Sequence, residues 1–233
     1  MNTTTHFLSA LFFLGVLGGL TACADVGDAP QATVEDVSPM ANAAEPFTGT
    51  PVAIDTAQSA IRWRAAKVTG AHDGGFRTFD GVVYRDGGVL TGVDLTIDAA
   101  SIWSDNEKLT GHLKSADFFD VEQFSEATFR ADSFELIAVE DSVEWAEATH
   151  RIGGVLTMHG QAQRITFPAK VTVTDDAITA TADFLIERSR WDLTYPGKPD
   201  DLIQEEVRLM FDVVAPGTME PAASQGETAS VSG

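Results

Sequence analysis

The residues able to do chemistry in this 233-residue chain are scattered rather than grouped. His72, His112, His150 and His159 stand far apart and lack the helical i,i+4 spacing that makes two imidazoles a metal clamp. Histidines spread in this way read as surface or hydrogen-bonding groups. Asp117, Asp120 and Glu122 could offer oxygen ligands to Ca²⁺, but an acidic loop of this kind is usually just solvated. Asp and Glu number 35 against 15 Lys and Arg, so carboxylate pairs at hydrolase spacing arise by abundance and identify nothing. No glycine-rich phosphate loop and no serine-nucleophile elbow is present. The expectation is a chain with no catalytic set, no metal and no cofactor.

Cys23 is the only cysteine, so an internal disulfide is impossible. Its setting gives the thiol another use. Phe7 to Leu20 is an uncharged apolar run, too short to span a bilayer and followed by small residues, as in the core of a signal peptide. Leu20-Thr21-Ala22-Cys23 resembles the bacterial lipobox, in which cleavage before the cysteine frees it to carry diacylglycerol. Met1 to His6 lacks the Lys or Arg usual in such a segment. The expectation is a signal peptide over 1–22, lipid attachment at Cys23, and a membrane partner reached through that anchor. The domain would then face the periplasm, and Ala24, in place of Asp, favours outer-membrane sorting. The formal net charge of -20 repels phosphate backbones and anionic headgroups, which excludes nucleic acid and charge-driven membrane adsorption.

What positions these residues is a pattern of strands. Residues 23–49 are acidic and small, without a sustained apolar period, and read as a flexible tether; 216–233 read as a disordered tail. Between them, 50–215 forms one domain. Ile165, Phe167, Ala169, Val171 and Val173 alternate with polar residues, and so do Ile178, Ala180, Ala182, Phe184 and Ile186. Val93, Leu95 and Ile97 repeat the pattern, as do Ile61, Trp63 and Ala65, and then Val207, Leu209, Phe211 and Val213. Period-2 runs with one wet face are antiparallel strands. Turn signals at Asp73-Gly74-Gly75, Asp86-Gly87-Gly88, His159-Gly160 and Asp175-Asp176 separate them, so the class is all-β, a sandwich or a closed barrel. Asp105 to Lys114, with Leu109 and Leu113 four apart, reads as a short helical insertion.

Several inward positions are small: Ala65, Gly154, Ala169, Ala180 and Ala182. Interiors normally fill with larger aliphatics, so small inward residues allow a cavity for a hydrocarbon chain, at about 0.8 kcal/mol per buried methylene. The same alanines could instead interlock with Trp63, Phe167 and Phe184 in a filled core. The alternation turns Asp94, Asp98, Asp183 and Glu187 outwards, which argues against a carboxylate enzyme in the barrel mouth.

Gly111 to Phe129, GHLKSADFFDVEQFSEATF, resembles the signature stretch of the YceI-like family of bacterial lipid- and polyisoprenoid-binding barrels. Ile54-Asp55 with Ser59 to Trp63 is similar to its opening strand, Gly153 to Gly160 to its later hairpin, and Ile186 to Ser189 to its penultimate strand. The resemblance implies an eight-stranded antiparallel lipocalin-like β-barrel with a short helical insertion. It implies a non-catalytic protein that binds a long isoprenoid, a polyprenyl chain or a quinone tail, for storage, sequestration or transport. An envelope stress or interaction protein with a filled barrel is the alternative. The lining would come from Ile61, Trp63 and Ala65, Phe76 and Phe79, Leu95 and Ile97, Leu156 and Met158, and Phe167, Phe184 and Phe211. Phe118 and Phe119 would stand at the mouth. Gln58 and Lys67 replace histidines usual in the family, Leu109-Thr110 an Arg-Asp pair, and Lys67 to His72 marks a distinct branch.

Overall fold

The structure is a computed structural model that describes residues 25–37, 46–138 and 145–217. The expected signal peptide over 1–22, Cys23 and residues 218–233 lie outside the described residues. In chain order the strands are β1 (Thr33–Asp36), β2 (Thr50–Ala53), β3 (Ala60–Lys67), β4 (Gly70–Phe76), β5 (Phe79–Asp86), β6 (Val89–Asp98) and β7 (Ile102–Ser104). The helix α1 (Glu107–Leu113) follows, then β8 (Glu126–Leu136), β9 (His150–Met158), β10 (Gln161–Val173), β11 (Ala177–Glu187), β12 (Gly197–Lys198) and β13 (Asp201–Pro216).

The strands form one antiparallel sheet in the order β2-β5-β6-β8-β9-β10-β11-β13-β3-β4-β7. Only Arg77 and Thr78 separate β4 from β5. One bent piece of chain therefore pairs with β3 at one end of the order and with β6 at the other, and β7, after β6, pairs with β4. That curls the sheet into a barrel. Eight strands have eight or more residues (β3, β5, β6, β8, β9, β10, β11 and β13), and shorter segments bring the sheet to 13.

Alternation sets the faces. Ile165, Phe167, Ala169 and Val171 are buried, as are Ile178, Ala182, Phe184 and Ile186 on the neighbouring strand. Outside, Asp94 pairs with Arg130 at 2.7 Å and Asp183 with Arg208 at 2.6 Å. The hairpin between β9 and β10 turns on His159 and Gly160, both at positive φ (49° and 72°), the backbone that a two-residue turn between twisted strands requires. Asn106 caps α1, its side chain accepting from the Lys108 and Leu109 amides.

Two expectations are corrected. Asp73-Gly74-Gly75 is not a turn but part of β4; the chain reverses at Val68-Thr69 instead. Gly74 faces Trp63 across the ladder, and a Cβ there would lie 2.3 Å from the indole and 2.2 Å from the Trp103 carbonyl oxygen. Glycine is required for space, not for a turn.

The second correction concerns the tether. Asp25–Val37 is packed on the barrel, with Val26 and Ala32 buried. β10 and β11 pair only from Ala169 to Val173 with Ile178 to Ala182. Where they part, the N-terminal segment takes up the free edges. β1 pairs with Gln163 to Thr166 of β10, and Leu185 of β11 exchanges backbone bonds with Pro30 and Ala32, both at 2.9 Å. Unpaired strand edges are costly when buried, and this strap satisfies them.

Candidate functional site

Two apolar cavities occupy the barrel. The lower one, about 70 Å³, lies towards the β5–β6 hairpin and is lined by Leu95, Phe167, the alanines 169, 180 and 182, and neighbours such as Ile54 and Phe134. The upper one, about 110 Å³, is lined by Ile61, Trp63, Ala65, Phe76 and Ile97 from the wall, and by Leu113, Phe118 and Phe119 from α1 and the loop after it. Met158, Ile203 and Leu209 also face it. Leu156 and Phe211 line both cavities and so stand between them.

Of the lining residues expected, Phe79 and Phe184 line neither cavity. Both are buried in the core, Phe184 completely, its ring stacked 4.1 Å from Phe167 and 5.9 Å from Phe211. The small inward residues divide as well. Ala65, Ala169, Ala180 and Ala182 border empty space, whereas a Cβ on Gly154 would meet backbone at 2.5 Å and the Phe129 ring at 2.9 Å. The barrel is thus partly hollow and partly interlocked.

Above the upper cavity is a vestibule of about 260 Å³ that shares Trp63, Ala65, Leu113, Phe118 and Ile203 with it. The rest of its wall is more polar: Lys67, His72, His112, Tyr195, Lys198 and Asp201. Phe118 is buried, in edge contact with His112 at 5.0 Å, and Phe119 meets Phe76 at 6.1 Å, so the pair fastens the helical insertion across the opening. Lys67 pairs with Asp201; the ammonium and the Thr69 hydroxyl and amide hold that carboxyl below the usual carboxylate range. His72 contacts Asp105 at 2.8 Å and His112 contacts Asp117 at 2.9 Å. Gln58 sits at the other end of the barrel, bonded to Asp55 at 2.6 Å. The four histidines do not converge, and among the described residues no group of three or more His, Cys, Asp or Glu is placed to hold a metal. Asp120 adopts a positive φ of 42°, and it is the Ser115 hydroxyl, not an Asp side chain, that receives the Asp117 amide.

Arg188 was given no role by the sequence, although it shares the inward parity of Phe184 and Ile186. It is 4% exposed and is the charged residue on the upper cavity's wall. Its guanidinium donates to the Gln204 carbonyl at 3.0 Å, to the Leu193 carbonyl, and to Glu205 at 3.2 Å; burial pushes its pKa down. Trp191, fully buried, donates Nε1–H to the Leu156 carbonyl at 2.9 Å. Trp63 differs. It is 6% exposed, and its Nε1–H has no hydrogen-bond partner among the described residues. A buried donor left unpaired costs about 1–3 kcal/mol.

A further hollow, about 620 Å³, is an open groove outside the wall between the strap and β11–β13, lined by Asp25 to Pro30, Asp183, Glu206 and Arg208 among others. Among the described residues it shares no lining with the barrel interior.

Residues 53–215 match the YceI-like domain. A UPF0312 protein of Pseudomonas putida strain GB-1 is 35% identical over 98 residues, 41% of this chain and 47% of the relative. Another, from Pseudomonas putida strain W619, is 34% identical over 98 residues with the same coverage. The aligned stretch thus spans about half the length of the curated relatives it matches. Among solved structures, Burkholderia cenocepacia BcnA has a TM-score of 0.58 at 23% identity, over 70% of this chain and 99% of that one. The Campylobacter jejuni YCEI protein gives 0.53 at 23%, over 62% and 84%. A polyisoprenoid binding domain from Saccharophagus degradans gives 0.56 at 16%, over 71% and 98%. At such identities the likeness to these structures is one of fold. The domain match runs from the end of β2 almost to the end of β13, the whole barrel with its helical insertion, and by it the chain belongs to the YceI-like domain family.

Proposed function

We propose that this barrel binds a long apolar lipid of the isoprenoid type and performs no catalysis. The observation that carries this reading is the pair of in-line cavities, walled by aliphatic and aromatic side chains and opening into a more polar vestibule. A polyprenyl chain or a quinone tail suits such a wall, because each methylene moved from water contributes about 0.8 kcal/mol. The neighbour named as a polyisoprenoid binding domain supports the same class. Neither interior cavity is lined by a carboxylate among the described residues, so the acid–base pair of a glycoside or lipid hydrolase has no support there. Lipid attachment at Cys23, with the domain facing the periplasm, completes the proposal; Ala24 favours the outer membrane.

A second reading has an observation in its favour. Cavities of about 110 and 70 Å³ are each smaller than the roughly 150 Å³ void that admits one benzene ring. A long chain enters only if Leu156 and Phe211 swing aside and join them. The alternative is an envelope interaction protein whose barrel stays filled. Mass spectrometry of organic extracts of the protein purified from its own membranes separates the two. A prenyl lipid in near-stoichiometric amount is expected; a barrel that comes out empty and takes up no added prenyl lipid sinks the proposal.

A further inference from the structure

The mouth of the barrel carries an apolar rim outside both cavities. Val68, in the β3–β4 turn, is 54% exposed and Leu202, at the start of β13, is 50% exposed. They are neighbours: the Val68 amide donates to the Leu202 carbonyl at 3.2 Å, and Thr69 on one turn bonds Asp201 on the other at 2.9 Å. The two tips are therefore held together as one edge, beside the Lys67, Asp201 and Ile203 wall of the vestibule.

The path of the strap indicates what covers this edge. The Asp25 carbonyl accepts from Arg64 Nε at 3.4 Å, and Val26, 3% exposed, clusters with Ala66 and Leu185. Arg64 and Ala66 belong to β3, the strand that leads into Val68. Cys23 precedes Asp25 by two residues, a chain reach of about 7 Å at most. Val68 lies four residues beyond Arg64, about 13 Å along the strand direction. Acyl chains on Cys23 thus enter a bilayer on the β3 side of the barrel, close to the rim. With a net charge of -20 the protein gains nothing from anionic headgroups, so contact made by the barrel itself, beside the acyl anchor, has to be apolar.

We infer that Val68 and Leu202 form a membrane-docking rim seated in the interfacial layer of a zwitterionic bilayer, with the vestibule opening onto the lipid. This rests on the proposed anchor at Cys23, and the test separates the two. A genetically encoded fluorescent amino acid replaces Val68, Leu202, Val89 or Leu136 in the full exported chain. Val89 and Leu136, 65% and 78% exposed at the opposite end, serve as controls. The protein is reconstituted into phosphatidylcholine vesicles with brominated acyl chains. Side chains of a docked rim sit about 5–10 Å into the headgroup–acyl boundary, so quenching at 68 and 202 is expected to exceed that at the controls at least about threefold. Equal quenching at all sites, or none at 68 and 202, overturns the rim. The mass of the Cys23 peptide decides the anchor independently: an unmodified Cys23 with quenching still confined to 68 and 202 discards the anchor and keeps the rim.

Discussion

Single side chains show how far the interior is committed to an apolar guest. Ala65 borders both the upper cavity and the vestibule, and Ala65→Phe would place a ring where the guest has to pass. Prenyl-lipid uptake is expected to fall at least about tenfold while the melting temperature holds, because filling an existing void of about 110 Å³ loses no contacts. Arg188 has the opposite character. Arg188→Met removes the guanidinium bond to the Gln204 carbonyl and leaves the buried Leu193 carbonyl without its guanidinium donor, at about 1–3 kcal/mol. Glu205, 57% exposed at its side chain, is the dispensable partner, and Glu205→Gln should change stability by under about 1 kcal/mol. Urea denaturation of the two variants checks the contrast. His150 supplies a pH dependence. Burial lowers its pKa, so the unfolded chain takes up the proton first. Its contribution is present above the ordinary histidine value near 6.5 and drains away as pH falls through the lower folded value. The urea midpoint of the native protein should therefore drop between pH 7.5 and 5 by more than that of His150→Gln.

At the scale of elements, the strands were legible because one-sided burial writes itself as alternation, and that pattern holds along β6, β10 and β11. In β13 residues 207–214 are all half-buried, although Val207, Leu209, Phe211 and Val213 still line the cavities. Gly74 was misread for a physical reason: Asp-Gly-Gly is turn chemistry, and nothing local reveals that the Trp63 indole needs the room of a missing Cβ. Gly74→Ala is expected to destabilise by about 1–3 kcal/mol, as overpacking does, whereas Gly88→Ala, with nothing within 4 Å, should stay within about 0.5 kcal/mol. The strap was illegible for another reason. Its attachment is mostly backbone pairing to β10 and β11, which any sequence can make, and its apolar signal is the small set Val26, Ala29, Ala32 and Val34. Only Ala32 is buried in the main core, at 4% exposure, so Ala32→Asp drives a charge into the seam between β10 and β11. Hydrogen exchange at the Leu185 amide, which donates to the Pro30 carbonyl, is expected to quicken, while amides in the β13–β3 ladder keep their protection. The vestibule was equally hidden. Lys67 is 134 residues from Asp201, and it meets Tyr195, Lys198 and Asp201 only because the β3–β4 turn and the β12–β13 hairpin share one end of the barrel.

For the molecule as a whole, the small size of the two cavities makes ligand loading a matter of energetics rather than of storage in a ready-made void. Leu156 and Phe211 stand between the two cavities, and Phe211 stacks on Phe184, so a guest chain spanning both has to exchange its own contacts for theirs. Such an exchange is favourable only if the chain buries more apolar surface than the displaced rings lose, which favours long guests over short ones. Binding to the folded state alone contributes about 2.7 kcal/mol of stability at a free ligand level of 100 times Kd. In a domain of 150–250 residues each kcal/mol moves the melting temperature by about 2–4 °C. Delipidated protein titrated with a long-chain polyprenol should therefore rise by roughly 5–11 °C at that excess, and a single-isoprene alcohol should leave the transition where it is. Leu156→Trp, placed at the constriction between the cavities, should abolish the rise with the long chain. A barrel that melts at the same temperature with either alcohol has no space its side chains are prepared to yield, and would be the filled barrel of the second reading.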